Sequence, residues 1–315
     1  MGLVLYYLWA EVPYRGYDGP QIVVEVPHRS VQEVLRLLQK KGVLRKGSFG
    51  RLYLALTRRG ALLQAGEYLF EGPLTSPQVF EKLIRGDIVY HRVTIPEGLR
   101  SGQVFALFVK EGFGATEDFY REFLDVSRIA DLDPDAVDLE GYLFPDTYSL
   151  ARGTSAREVV DQMVQNHRLL WEGGWLRKAA KADLSVRQVV TFASLIEKET
   201  GRSEERGLIA SVFHNRLREG MRLQCDPTII YALVMRDRYR GVITRSDLQI
   251  DSRYNTYAYP GLPPGPIANP GREALHAALF PEESDYLYFV SMNNGRHTFS
   301  ASLGEHNRAV ERYQR

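Results

Sequence analysis

The chain changes character at Pro96-Glu97-Gly98, and that break constrains its fold more than any other feature. Before it, short β-branched runs alternate with short amphipathic helices. After it, the 3.6-residue period dominates and strands are few. Upstream, Gln21–Val26 reads as a strand stopped by Pro27. Ser30 caps a helix running to Lys41, and Glu33 three residues on closes a capping box. Val31, Val34, Leu35 and Leu38 follow at i, i+3, i+4 and i+7, and Gly42 stops the helix. A second helix over 50–57, a strand over 66–70, a third helix over 76–84 ending at Gly86 and a strand over 89–95 complete a small βααβ-type domain.

Downstream, helices are expected over 104–111, 117–124, 156–171, 185–199 and 203–219. Residues 139–150 are aromatic and turn-rich. The five prolines of 254–270 exclude regular structure there. Residues 286–290 and 296–300 flank Asn293-Asn294-Gly295, a hairpin with a turn-former at its tip. The expected fold class is α+β with two domains, residues 21–95 and a mixed, mainly helical 96–315, preceded by an N-terminal segment over 1–20. A length of 315 residues agrees, at roughly 100–200 residues per domain.

Composition removes several function classes. Lys and Arg number 40 against 39 Asp and Glu, so no basic excess marks a nucleic-acid surface. One cysteine, Cys225, rules out an intrachain disulfide and a Cys-based zinc site. The histidines form no His-x-x-x-His pair, and no Walker or GxGxxG loop is present. The reading is of an enzyme or binder working without metal, nucleotide or other cofactor. At the start, Gly2–Ala10 is apolar but far shorter than the about 20 residues a membrane helix needs. It is either a terminal element packed on the body or the outer end of a membrane anchor, for which Tyr6, Tyr7 and Trp9 would suit the interfacial belt.

The segment most suggestive of chemistry is 189–201, an apolar helix ending in Glu197-Lys198-Glu199-Thr200. Two residues apart, the carboxylates cannot share a face. Glu199 falls beside Phe192 and Leu195, slightly nearer the buried stripe. Glu197 falls on the opposite flank, near Val190 and Ala193. A carboxyl at the end of an apolar helix has its pKa raised by desolvation, as a general acid at a glycosidic bond requires. Solvated glutamates at a helix terminus are the plain alternative. In 223–231, Asp226 before Pro227 suits a helix N-cap, Gln224 can read a sugar amide or hydroxyl, and Cys225 reads as a small filler. Tyr254-Asn255-Thr256-Tyr257 offers the aromatic faces and amides that line sugar grooves, or ordinary loop packing. No G-x-S-x-G elbow is present. His214, His297 and His306 can each serve as a base, yet no motif fixes a partner for any of them.

Taken together, several segments resemble the YceG-like (MltG) endolytic murein transglycosylases. They are Ile95-Pro96-Glu97-Gly98, the run from Glu140 to Tyr148, Ala193 to Thr200, Val212 to Leu217, Leu223 to Thr228, Tyr254 to Tyr257, Gly261 to Gly271, Tyr286 to Val290 and Glu305-His306-Asn307. The resemblance spans about 21–315 in order. It implies a LysM-like small domain and a catalytic domain with lysozyme-like features. It further implies a single N-terminal membrane anchor with the catalytic domain on the cell-wall side, peptidoglycan strands as substrate, and peptidoglycan synthases as partners. Such enzymes cleave the MurNAc-β-1,4-GlcNAc bond inside nascent strands without water, leaving 1,6-anhydroMurNAc ends. The glutamate directly followed by Thr maps onto Glu199 as the catalytic group. Glu197, Asn215, Gln224, Asp226, Tyr254, Asn255 and Tyr257 become substrate contacts. Cys225 departs from the pattern, standing where a small hydroxyl residue is expected. A silent glycan-binding protein and a hydrolase pairing Glu199 with Asp226 or Glu197 are the competing readings.

Overall fold

The computed structural model describes residues 2–47, 49–57 and 62–314. The chain forms two compact units, one of residues 1–93 with 148–154 and one of 94–147 with 155–315.

In the first unit, β1 (Gln21–Val26) pairs antiparallel with β2 (Gly66–Glu71), from Gln21 opposite Glu71 to Val26 opposite Gly66. Alternation sends Val24 and Val26 to the same face as Tyr68 and Phe70. That face is covered by α2 (Val31–Lys40), α3 (Phe49–Leu56) and α4 (Ser76–Arg85), through Val34, Leu35, Leu38, Leu54, Val79, Phe80 and Leu83. The capping box of Ser30 and Glu33 forms as expected, and Thr75 with Gln78 makes a second one on α4. Gly86 ends α4 at φ 69°, the left-handed value that favours glycine. The N-terminal apolar run is a helix, α1 (Gly2–Ala10). Its Trp9 and Ala10 are buried in this core beside Phe49 and Phe80, and the Trp9 carbonyl accepts from the Ser76 hydroxyl. No helix among the described residues is long and apolar enough to cross a membrane. The chain leaves the unit through β3 (Tyr90–Thr94) and returns through β4 (Thr147–Ala151), which pairs with β3.

The second unit contains α5 (Ser101–Lys110), α6 (Thr116–Phe123), α7 (Ala156–Glu172) and α8 (Trp175–Lys181). At its centre runs α9 (Val186–Glu199), buried continuously from Val189 to Ile196. Such a helix must be enclosed on every side. It packs against α8, α10 (Ser203–Arg218), α11 (Asp226–Val234) and α12 (Arg272–Leu279). Its buried hydroxyls are satisfied locally: Thr191 donates to the Arg187 carbonyl, and Ser194 donates to the Thr191 carbonyl while accepting the Ile267 N–H. The C-terminal hairpin of β5 (Tyr288–Ser291) and β6 (His297–Ser300) is covered by α13 (Leu303–Tyr313).

The proline-rich 254–270 is irregular, as expected, and two buried asparagines shape it. Asn269 accepts from the Gly141 and Leu143 N–H groups, each at 3.0 Å, and donates to the Leu99 carbonyl, the Ser101 hydroxyl and the Glu140 carboxyl. Glu140, which also accepts from the Ser101 N–H and hydroxyl, has its pKa raised to about 7 by burial. Gly141 sits at φ 87°, where an added Cβ would meet Pro266 at 2.6 Å, so this crossing tolerates no side chain.

Candidate active site

The C-terminal turn of α9 delivers Glu199 to a cavity of about 430 Å³. Arg216 of α10, the 223–226 segment, Tyr257, the β5–β6 hairpin and His306 of α13 complete its walls. Burial is the largest influence on Glu199 and, with the charge of Asp226, raises its pKa to about 7 against the pull of the Cys225 thiol, His297 and Arg216. The helix C-terminus adds to the cost of a negative charge there. Glu199 therefore holds a proton near neutrality, as an acid at a glycosidic oxygen must.

The facing wall is clamped rather than loose. Gln224 adopts φ 52°, uncommon for a residue with a Cβ, and its N–H donates to the Thr256 carbonyl at 3.2 Å. The Cys225 N–H donates to the Thr256 hydroxyl at 3.0 Å, and that hydroxyl shares a hydrogen bond of 2.9 Å with Thr228. Cys225, not Asp226, occupies the N-cap of α11, and no side chain caps it. The reason is that Thr256 and Thr228 hold the Cys225 main chain in the extended conformation of a cap. Asp226 is freed to point into the cavity, where the Tyr257 hydroxyl donates to it at 2.5 Å. Cys225 is more than filler: its thiol is buried against Glu199, and both burial and that carboxyl push its pKa up. A buried, protonated thiol is no nucleophile.

Arg216 is unusual. Its guanidinium is buried, yet no carboxylate pairs with it among the described residues. Backbone carbonyls hold it instead, with Nε donating to Leu287 at 2.6 Å and Nη1 to Leu223 at 2.8 Å and Arg222 at 3.2 Å. Tyr288 lies under it at 5.2 Å, a cation–π distance. An uncompensated buried cation favours negative charge nearby, which here is whatever forms on Glu199 or Asp226.

Of the residues expected at the site, Glu199, Gln224, Asp226 and Tyr257 converge on this cavity. The other four lie elsewhere. Glu197, roughly 200° around the helix from Glu199, accepts from Arg206 at 3.0 Å and from the Gly271 N–H at 2.9 Å, and burial raises its pKa. Arg206 also pairs with Glu97 and Glu273. Asn215 is buried and donates to the Ser284 and Tyr286 carbonyls, pinning the approach to the hairpin. Asn255 donates to the Leu248 and Ile250 carbonyls and accepts from the Tyr257 and Ala258 N–H groups, so its amide shapes the loop that aims Tyr257. Tyr254 packs on Tyr231 at 4.8 Å. Sequence reasoning missed Arg216, which lies inside the quoted 212–217 run, and it found no partner for His297 because that partner, Glu205, is remote in the chain. A larger hollow of about 790 Å³ in the same unit is lined by Glu273 and Arg206, which already pair with each other. Among the described residues no group of His, Cys, Asp or Glu is arranged to hold a metal ion.

Comparison with known proteins identifies the family. A model of the YceG-like family matches residues 24–312. An endolytic murein transglycosylase of Bacillus subtilis is 35% identical over 301 residues, covering 90% of this chain and 82% of that protein. One from Streptococcus pneumoniae is 29% identical over 340 residues, covering 97% of this chain and 60% of that protein. The crystal structure of a YceG-like protein from Listeria monocytogenes superposes with a TM-score of 0.62 at 34% identity, covering 92% of this chain and 99% of that one. With a family match running almost end to end and a relative 35% identical over 90% of the chain, the chain belongs to the YceG-like family.

Proposed function

We propose that this protein is a peptidoglycan lytic transglycosylase that cleaves the MurNAc-β-1,4-GlcNAc bond within nascent strands and leaves 1,6-anhydroMurNAc ends. The observation that carries this reading is Glu199: one half-buried carboxyl whose pKa is raised to about 7 by desolvation, at the wall of an open cavity in a chain whose relatives are endolytic murein transglycosylases. Glu199 gives its proton to the leaving oxygen. The sugar's own 6-hydroxyl then closes onto C1, and its proton ends on Glu199, which restores the acid without water. A glycosidase that uses water requires a second carboxylate as base or nucleophile. Asp226, the nearest candidate, already accepts from Tyr257. Gln224, Asp226 and Tyr257 contact the sugars directly. Asn215 and Asn255 act on substrate through the hairpin approach and the Tyr257 loop that they hold, whereas Glu197 and Tyr254 support the fold outside that cavity.

Residues 21–95, which fall in the first unit with the returning 148–154, serve as a LysM-like glycan-binding domain, and the remainder of 96–315 as the catalytic domain. Anchoring at the cytoplasmic membrane, with the catalytic domain facing the wall and synthases as partners, is the reading that the family resemblance supports; the apolar run at Gly2–Ala10 packs on the first unit through Trp9 and Ala10 and adds nothing to it.

A digest of purified glycan strands read by mass spectrometry tests the reaction. Internal fragments with anhydro ends are expected. Fragments carrying an added water would make this a hydrolase, and strand binding without cleavage would make it a binding protein. The pH profile supplies a second prediction. Because the acid must be protonated and its pKa is about 7, the single-turnover rate is expected to fall as pH rises through about 7. A rate flat from pH 6 to 8.5 would remove Glu199 from the acid role.

A further inference from the structure

The cavity holds more proton-exchanging groups than one carboxyl. Asp226 and Tyr257 satisfy each other at 2.5 Å. Arg216 does not deprotonate in proteins. His306 of α13 is stacked on Tyr288 at 5.1 Å, has a buried Nδ1 without a partner, and is disfavoured as a cation by burial and by Arg216. His297 of β6 differs from all of these. Its Nδ1 meets Glu205 Oε2 at 2.7 Å, while its main-chain N–H donates to Glu205 Oε1 at 2.9 Å. Both Glu205 oxygens are thus given to one histidine. The second bond fixes the residue and the first fixes the ring, which is also braced edge-on by Phe289 at 5.4 Å.

A carboxylate on Nδ1 sets the tautomer: the proton stays on Nδ1, and Nε2 keeps its lone pair. Nε2 is then the ring nitrogen left to the cavity that His297 shares with Glu199. Glu205, nearly fully buried and bonded twice to this one residue, holds the ring in that orientation. A histidine that merely tied the hairpin to α10 would need only the main-chain bond.

We propose that His297, oriented by Glu205, is the base that receives the proton of the attacking sugar hydroxyl and relays it to Glu199. This rests on the transglycosylase reading above and adds a step to it. As the bond from C1 to the leaving oxygen breaks, that oxygen takes the Glu199 proton. The sugar's O6 then bonds to C1 and its O–H bond breaks, the proton passing to Nε2. The imidazolium returns that proton to the Glu199 carboxylate, so both groups end as they began. His297 is a catalytic residue in this scheme and Glu205 a positioning residue.

The test compares full-length wild type with His297→Gln, His297→Ala and Glu205→Gln on purified glycan strands. The readouts are rate and the ratio of anhydro to reducing ends. His297→Gln is expected to slow anhydro-end formation at least about tenfold and to raise the fraction of reducing ends, because water then competes for C1. Glu205→Gln should move both readouts the same way by less. Added imidazole should restore anhydro-end formation in His297→Ala. A purely structural tie would change neither the product ratio nor the response to imidazole. An unchanged ratio in His297→Gln and Glu205→Gln, or a loss that follows melting temperature and ignores imidazole, overturns the proposal. Wild type giving only reducing ends overturns the transglycosylase reading and this step together, whereas anhydro ends from wild type with unaltered variants overturns this step alone.

Discussion

Glu199→Gln is expected to abolish strand cleavage, with a loss of at least about 100-fold for a missing general acid, while strand binding persists. Glutamine preserves the shape of the side chain and removes the transferable proton. No other group can substitute. Glu197, the nearest carboxyl in sequence, points away and is held by Arg206 and the Gly271 N–H. Asp226 receives the Tyr257 hydroxyl. The substitution should also separate activity from stability. With its folded pKa raised from 4.5 to about 7, Glu199 keeps a proton that the unfolded chain loses over that interval, so stability falls as pH rises between those values. Glutamine removes this dependence, and the variant should melt at or above the wild-type temperature at pH 8. Cleavage within tenfold of wild type would sink the assignment of Glu199 as acid, and a variant less stable than wild type at pH 8 would sink the account of its burial.

The second large effect belongs to a residue that never meets substrate. Asn269→Ala is expected to destabilise the second unit by about 4 kcal/mol, since two buried N–H donors, at Gly141 and Leu143, lose their only side-chain acceptor at about 1–3 kcal/mol each. The Glu140 carboxyl, the Ser101 hydroxyl and the Leu99 carbonyl each lose a donor as well. Urea denaturation followed by near-ultraviolet circular dichroism measures it. A change under about 1 kcal/mol would mean that water replaces the amide and that the asparagine is not the hub of this crossing.

Much of this was legible in the residues. The capping box at Ser30, the stop at Gly86, the irregular proline tract and the hairpin around Asn293-Asn294-Gly295 are all local signals, and local physics decides them. The opposite flanks of Glu197 and Glu199 were legible too, because helical geometry alone sets them apart. What stayed hidden depends on distance in the chain. The cap of α11 went to Cys225 because Thr256, far downstream, holds its main chain, so Asp226 was never needed as a cap. Asn215, Tyr254 and Asn255 have the composition of a sugar groove, yet two of them are occupied by backbone groups and the third by a neighbouring ring. Helices α8, α12 and α13 lacked the long apolar stripe that announces a helix by itself. They form because other elements cover one face.

The return of the chain through β4 has a consequence for how the protein is made. β3 leaves the ribosome at residue 94, but its partner strand begins only at Thr147. During synthesis the first unit must wait, with one strand unpaired, while the early helices of the second unit emerge. An unpaired strand edge invites association with other chains. A pause in translation after Ala151 has cleared the exit tunnel would therefore protect the nascent chain, and one before Thr147 has cleared it would expose it. The same path means that no single cut or joining point in the gene separates the two units.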